Sequence, residues 1–235
     1  MNKKIAAIIS VILIAIIGVF SIGMKKENNT AKNEGNKVET VTVTDANGEK
    51  VELNKNPKKV VVFDYGVADI LKNLGVDAVV GLPKNGKMPE ILSNYSDDKY
   101  TNVGSLKETD FEAVESLNPD LIIISGRQAD MYDKFAEIAT TVYLSVDGSD
   151  YLNDFSRNLD VLGKIFGKED FVKENLDNLT KQMDEVKAMA QEKNVNALTT
   201  MVSEGNLSVF SDKSRFGLIY NQLGITNKDE TIEES

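Results

Sequence analysis

The 235-residue sequence contains no cysteine, no histidine and no tryptophan. The first two absences exclude thiol nucleophiles, structural zinc sites, a Ser-His-Asp triad and any disulfide framework. Arginine is nearly missing, with Arg127, Arg157 and Arg215 standing against 24 lysines. Such scarcity has two sources: AT-rich coding, or guanidinium kept for places where lysine will not do. No basic cluster occurs and the net charge is −10, which argues against a nucleic-acid partner, because neutralising phosphates needs a basic face. A Gly-rich phosphate loop is absent too, since "GVADILKNLG" has the wrong spacing. Carboxylates are plentiful, yet no pair stands at a spacing that suggests acid–base work, so the chain does not read as an enzyme.

What is present is ordinary for a globular protein, with 41% hydrophobic and 27% charged residues. The length allows one large domain or two small ones. The first 24 residues, "MNKKIAAIISVILIAIIGVFSIGM", place Lys3 and Lys4 before an apolar run. A basic start followed by an apolar core is a secretory signal pattern, and the run is also about long enough for a membrane anchor. Positive charge at the start keeps that end in the cytoplasm, so everything after Met24 is expected outside. Without residues 1–24 the chain has 25 basic and 37 acidic side chains, a net of −12. Residues 25–37, "KKENNTAKNEGNK", hold too few apolar side chains to fold and read as a tether.

From Val38 the pattern changes. "VETVTVTDANGEKVELN" alternates about "DANGE" and predicts a β-hairpin. "DANGE" lacks the further acidic positions of a calcium loop. "KKVVVFD", "DAVVGL", "TNVGS", "DLIIIS" and "TTVYLSV" read as strands, separated by the helical stretches "YGVADILKNLG", "MPEILSNY", "TDFEAVESL" and "RQADMYDKFAEI". Wholly apolar strands alternating with helices predict an α/β fold with a parallel sheet covered on both faces. Two helices with no strand between them follow. The second carries Val172, Leu176, Leu179, Met183, Val186 and Ala190 on one stripe. At about 1.5 Å per residue, 24 residues would reach about 36 Å, either as a strut between two lobes or as one more helix packed on the sheet. Strand, tight turn at Glu204-Gly205-Asn206, strand and helix complete the chain. The expected organisation is a leader or anchor (1–24), a tether (25–37), an amino-terminal α/β lobe (38–167), a linker helix (168–193) and part of a second α/β lobe (194–235).

Arg127 follows "DLIIIS", and Arg215 follows "LSVFS" through "DK". Both lie just beyond the carboxyl end of a strand, where open α/β sheets bind ligands. A guanidinium there, near a helix start, suits an anion, and its planar fork matches oxygen pairs better than an ammonium does. One such arginine in each expected lobe suggests a charged ligand gripped from both sides, although each taken alone is also compatible with a surface position. Tyr65, after "VVVFD", sits at a strand end as well, either lining the ligand site or simply half-buried. Thr109-Asp110-Phe111-Glu112 has capping-box spacing, with Glu112 reaching back to the helix start.

"VGSLKETDFEAVESLNPDLIIISGRQ" together with "SRFGLIYNQLG" resembles the substrate-binding proteins of bacterial ABC importers for iron–siderophore complexes, nearest to the branch for ferric catecholates such as petrobactin. The resemblance runs from Val38 to the end of the sequence. It implies a periplasmic-binding-protein fold of two α/β lobes joined by one rigid helix. It also implies arginines from both lobes around a ferric tris-catecholate, a trianion. Arg127 in "SGRQ" and Arg215 in "KSRFG" match two of these, and no cofactor beyond the ferric siderophore itself is implied. In related proteins an acidic residue near this point of each lobe docks onto the permease, so the resemblance implies that role for Glu112, one compatible with capping. Many such proteins of Gram-positive bacteria are lipoproteins, but Met24 occupies the place of the lipidated cysteine, so lipidation is not expected. The family's second lobe continues for roughly another hundred residues, an ordinary domain's worth, so the sequence reads as a truncated copy. The expectation is a solute-binding protein on the outer face of the cytoplasmic membrane, delivering a ferric siderophore to an ABC permease. Haem or cobalamin as cargo is the alternative, as is a membrane-anchored remnant without transport function.

Overall fold

The structure, a computed structural model, describes residues 39–146, 150–229 and 231–232. The leader, the tether, Met24 and Val38 lie outside the described residues. Among those described, no helix is long and apolar enough to cross a membrane.

The described chain divides into two compact units. The first comprises residues 39–145 and 158–172. It opens with the expected hairpin, β1 (Thr40–Thr44) antiparallel to β2 (Lys50–Asn54). Its turn closes because the Asp45 carboxylate accepts from the backbone N–H of Asn47 and Glu49, at 2.8 and 3.0 Å. Gly48 supplies the positive φ of +83° that an L side chain resists. The turn also donates from Ala46 N–H to the Tyr143 carbonyl, at 2.9 Å.

Five strands then form one parallel sheet: β3 (Val60–Val62), β4 (Val79–Leu82), β5 (Thr101–Asn102), β6 (Leu121–Ile124) and β7 (Thr141–Tyr143). Their order is β5-β4-β3-β6-β7. The all-apolar runs VVV and LIII sit centrally and are fully buried, as strands covered on both faces must be. Helix α1 (Tyr65–Asn73) starts where Asp64 accepts from Val67 N–H at 2.9 Å, and it ends before Gly75 at φ +69°. A 3₁₀ segment (Glu90–Ser96) and helices α2 (Phe111–Ser116) and α3 (Tyr132–Ile138) make the remaining connections. Val61, Phe63, Val103, Val114, Ile122, Ile124 and Phe135 form a continuous core on one face. Phe135 anchors it, with its ring centroid 5.0 Å from both Phe63 and Phe111.

Two details differ from the expectation. The cap of α2 is Asp110, which accepts from Ala113 N–H at 3.0 Å. Thr109 is diverted into a bridge with Gly104, while Asp110 N–H donates to the Val103 carbonyl. The helix therefore begins one residue late and the Thr109–Glu112 capping box does not form. The stretch "RQADMYDKFAEI" is also not one helix. It is a 3₁₀ turn (Gly126–Met131) followed by α3.

The second unit comprises, among the described residues, 146, 150–157, 173–229 and 231–232. The helices α4 (Tyr151–Phe166) and α5 (Glu169–Glu192) run through both units. The predicted stripe is observed: Leu179, Met183, Val186 and Ala190 are buried with Leu223 and Ile225, and Leu152 and Phe155 pack against them. Leu176, one step earlier on the stripe, is half-buried, and Val172, two steps earlier, is buried in the first unit. The antiparallel hairpin β9 (Thr199–Ser203) and β10 (Asn206–Phe210) turns through Glu204 and Gly205, at φ +52° and +82°, a pair of left-handed residues suited to a tight hairpin. Helix α6 (Gly217–Asn221) follows. A two-residue parallel pair, β8 (Asn196–Ala197) with β11 (Thr226–Asn227), completes the unit.

Tyr220 joins the hairpin to α6. Its buried hydroxyl accepts from Thr199 N–H at 2.9 Å and lies 2.8 Å from Thr199 Oγ1 and 3.2 Å from the Phe210 carbonyl. Removing it orphans a backbone donor. Tyr220→Phe should therefore destabilise by about 1–2 kcal/mol, read as a lower urea midpoint at unchanged slope.

Candidate functional site

All five strands of the parallel sheet point the same way, so their carboxyl ends share one edge. The chain visits β3, β4 and β5 towards one side, then returns to place β6 and β7 on the other. The order reverses between β3 and β6, and in open α/β sheets the crevice at such a reversal is where ligands bind. Tyr65 leaves β3 and Arg127 leaves β6, so these two predicted residues flank the switch point.

Arg127 is exposed, and among the described residues its guanidinium makes no hydrogen bond or ion pair. It follows Ser125, which is extended and offers no side-chain cap. Because the segment begins as a 3₁₀ turn, the positive charge here is the guanidinium's own rather than that of an α-helix terminus. Beside it, a Cβ at Gly126 would lie 3.9 Å from the Tyr143 hydroxyl of β7, an ordinary van der Waals contact.

Tyr65 is half-buried, and its hydroxyl donates to the Pro83 carbonyl at 3.0 Å. Burial pushes its phenol above the ordinary value, so it stays neutral. With the proton committed to Pro83, Tyr65 offers a ligand its ring and an oxygen lone pair.

The same edge gathers cations that the sequence reading did not single out. Lys84 leaves β4 and donates to the Asp97 carbonyl at 2.8 Å, and Lys87 is exposed farther along that loop. Lys107 is exposed on the loop after β5, where the Ser105 hydroxyl receives the N–H of both Lys107 and Glu108. These lysines and Arg127 lie on connections at the carboxyl edge of the sheet, with the acidic Asp64 and Glu108 among them. No sequence motif marks the three lysines; only the sheet order brings their loops to one edge. The groove of about 660 Å³ lined by Phe111, Glu115, Asn118, Lys134, Glu137 and Ile138 lies towards the amino-terminal edge and contains none of them.

Arg215, in the second unit, sits on the turn between β10 and α6. It is exposed, but it is held: its guanidinium lies 5.1 Å from the Phe216 ring centroid and 5.4 Å from that of Phe210. The two rings meet edge to face at 4.7 Å, and an Arg215 N–H points to Met201 Sδ at 3.3 Å. A cation near ring faces is attracted by their quadrupoles, and a planar guanidinium fork is able to pair with an anion's oxygens. The sequence showed the arginine, whereas the aromatic platform appears only in the fold.

Glu112 stands exposed in the first turn of α2 and is not used by the cap.

The family model described as "Periplasmic binding protein" matches residues 60–235. The petrobactin-binding protein YclQ of Bacillus subtilis is 44% identical over 237 residues, spanning 99% of this chain and 73% of that protein. Its crystal structure superposes with a TM-score of 0.80 at 46% identity, covering 84% of this chain and 70% of that one. The periplasmic catecholate-siderophore binding protein VctP of Vibrio cholerae superposes with a TM-score of 0.77 at 32% identity, covering 84% and 70%. The expected fold class, α/β of the periplasmic-binding-protein type, is the one found.

Proposed function

We propose, because this chain belongs to the periplasmic binding protein family, that it captures a ferric siderophore of catecholate type outside the cytoplasmic membrane and hands it to an ABC importer. The observation that carries this reading is the exposed Arg127, unpaired among the described residues, at the sheet's switch point, in a chain whose relatives include a petrobactin-binding protein and a catecholate-siderophore binding protein.

The chemistry is charge recognition. A guanidinium stays protonated at any physiological pH, pairs with carboxylate-like oxygens and stacks on aromatic rings. Catechol rings carrying the negative charge of an iron(III) tris-catecholate present both features. Arg127 and Arg215 are the charge partners in this reading, and Tyr65 contributes its ring. The chain has neither cysteine nor histidine, and among the described residues no group of three or more acidic side chains is placed to hold a metal. In this reading iron arrives already chelated and is held through its chelator.

Titration with ferric petrobactin and with haem, followed by quenching of tyrosine fluorescence, tests the cargo. Tighter binding of the ferric catecholate is expected. A preference for haem would favour a tetrapyrrole carrier instead.

Glu112 serves as a docking residue for the permease. Its carboxylate is exposed and free of capping duty, as a charge meant for a partner must be. Glu112→Arg should leave the siderophore affinity within about twofold, because surface substitutions cost little, while lowering uptake of ⁵⁵Fe-siderophore by cells at least tenfold. Full uptake by that variant would remove Glu112 from the docking surface.

A further inference from the structure

Gln128, next to Arg127, is 1% exposed, among the described residues the deepest-buried polar side chain together with Ser211. Its Nε2 donates to the Leu106 carbonyl at 2.9 Å. Its Oε1 is buried with no partner. That combination is a poor bargain for stability. One neutral hydrogen bond contributes less than an orphaned buried acceptor costs. An apolar side chain of the same size would serve the core as well or better, so the amide must be explained by what its one bond does.

The bond spans two connections at the carboxyl edge of the sheet. On one side lies the 3₁₀ turn Gly126–Met131, which carries Arg127 and has no side-chain cap of its own. On the other lies the loop after β5, which is closed by its own bonds. Ser105 N–H donates to the Glu108 carbonyl at 2.8 Å, and the Ser105 hydroxyl takes two backbone donors. The Gly104 carbonyl accepts from both Lys84 and Asn85 N–H, at 3.0 and 2.9 Å. Gly104 itself sits at φ +102°, and a Cβ there would meet the Glu108 carbonyl oxygen at 2.3 Å, so the loop has little freedom to rearrange. A loosely capped turn is thereby tied to a well-braced loop, and the tie lies one residue from the guanidinium.

We propose that Gln128 is a positioning residue: its amide bond to Leu106 fixes the Arg127 turn before ligand arrives, so that binding does not have to order it. The proposal rests on the reading that Arg127 holds the ligand's charge. Gln128 touches no ligand and acts only through its neighbour.

A double-mutant cycle tests it. Gln128→Met keeps the volume while removing both the donor and the orphaned acceptor, so the melting temperature should stay within about 3 °C. Affinity for ferric petrobactin should nevertheless fall at least fivefold, and the same substitution should cost less than twofold when made on Arg127→Ala. Equal losses in both backgrounds, or no loss in either, would overturn the positioning role. Hydrogen exchange on the unsubstituted protein gives an answer that does not depend on how a variant folds. The Gln128 N–H, which donates to the Ser125 carbonyl at 2.9 Å, should be protected without ligand to within tenfold of its protection with ferric petrobactin. Exchange that slows a hundredfold only when ligand is added would show a turn ordered by binding and would sink the proposal. If Arg127→Ala alone leaves affinity unchanged, the ligand reading fails instead, and the exchange measurement still decides whether the turn is held in advance.

Discussion

Replacing Arg127 by Ala is expected to weaken ferric petrobactin binding more than tenfold while leaving the melting transition in place. The guanidinium has no partner to release among the described residues, so all of its hydrogen-bonding capacity is available to an anion. A hydrogen bond to a charged group contributes about 1.5–3 kcal/mol, and each 1.4 kcal/mol is about tenfold in affinity. Because the side chain is exposed, removing it should cost the fold no more than about 0.5 kcal/mol, so the loss will not be unfolding in disguise. Arg127→Lys should recover part of the affinity, since a lysine restores the charge but not the planar fork. The wild-type affinity should also fall with added salt, steeply at first, as the Debye length shortens below about 10 Å. Unchanged affinity in tyrosine-quenching titrations of Arg127→Ala would remove this residue from the site.

Arg215 should show a similar loss with a different signature. Its guanidinium lies against Phe216 and Phe210, with Met201 at its edge. Arg215→Ala removes a charge whose direction those groups set, and a loss of about tenfold or more is expected by the same accounting. Here lysine should rescue poorly, because an ammonium lacks the planar face with which a guanidinium stacks on a ring. Phe216→Leu, which keeps the arginine and takes away one face, should cost about twofold to fivefold, in line with a cation–π contribution of about 0.5–1 kcal/mol at an exposed site. If Arg215→Lys binds like the wild type, the platform has no part in recognition and only the charge counts.

Much of the architecture was legible because it follows from periodicity. Continuous runs such as "DLIIIS" leave a strand no polar face, so a doubly covered parallel sheet is the solution, and β6 lies inside one. The stripe from Val172 to Ala190 announced α5, and Asn-Gly placed the first hairpin turn. Features that depend on non-local backbone bonding were not legible. The pair β8–β11 is two residues long and carries "NA" against "TN", with no alternation to detect. Thr109 resembled a cap by spacing, but its backbone was claimed by Gly104 from the preceding loop. The "RQADMYDKFAEI" helix broke into a 3₁₀ turn, a local choice that helical periodicity does not register.

The candidate site divides in the same way. Arginine scarcity and position pointed to Arg127 and Arg215, and the structure puts the first beside a switch point that no linear pattern encodes. Tyr65 was visible as a strand-end tyrosine, but its bond to Pro83 depends on β4 lying next to β3. Lys84, Lys107 and Gln128 carried no signal, because only the sheet order brings the loops after β4, β5 and β6 to one edge.

The measurement that tests this account most directly is a side-by-side titration of the wild-type protein and the Arg127→Ala, Arg215→Ala double variant with ferric petrobactin, at low and at raised salt. Saturable binding by the wild type, weakened by salt and reduced at least a hundredfold in the double variant, is the predicted result, as two charge-assisted contacts of about 1.5 kcal/mol each require. Equal, salt-insensitive binding by the two proteins would contradict it and would mean that recognition does not run through these guanidinium groups.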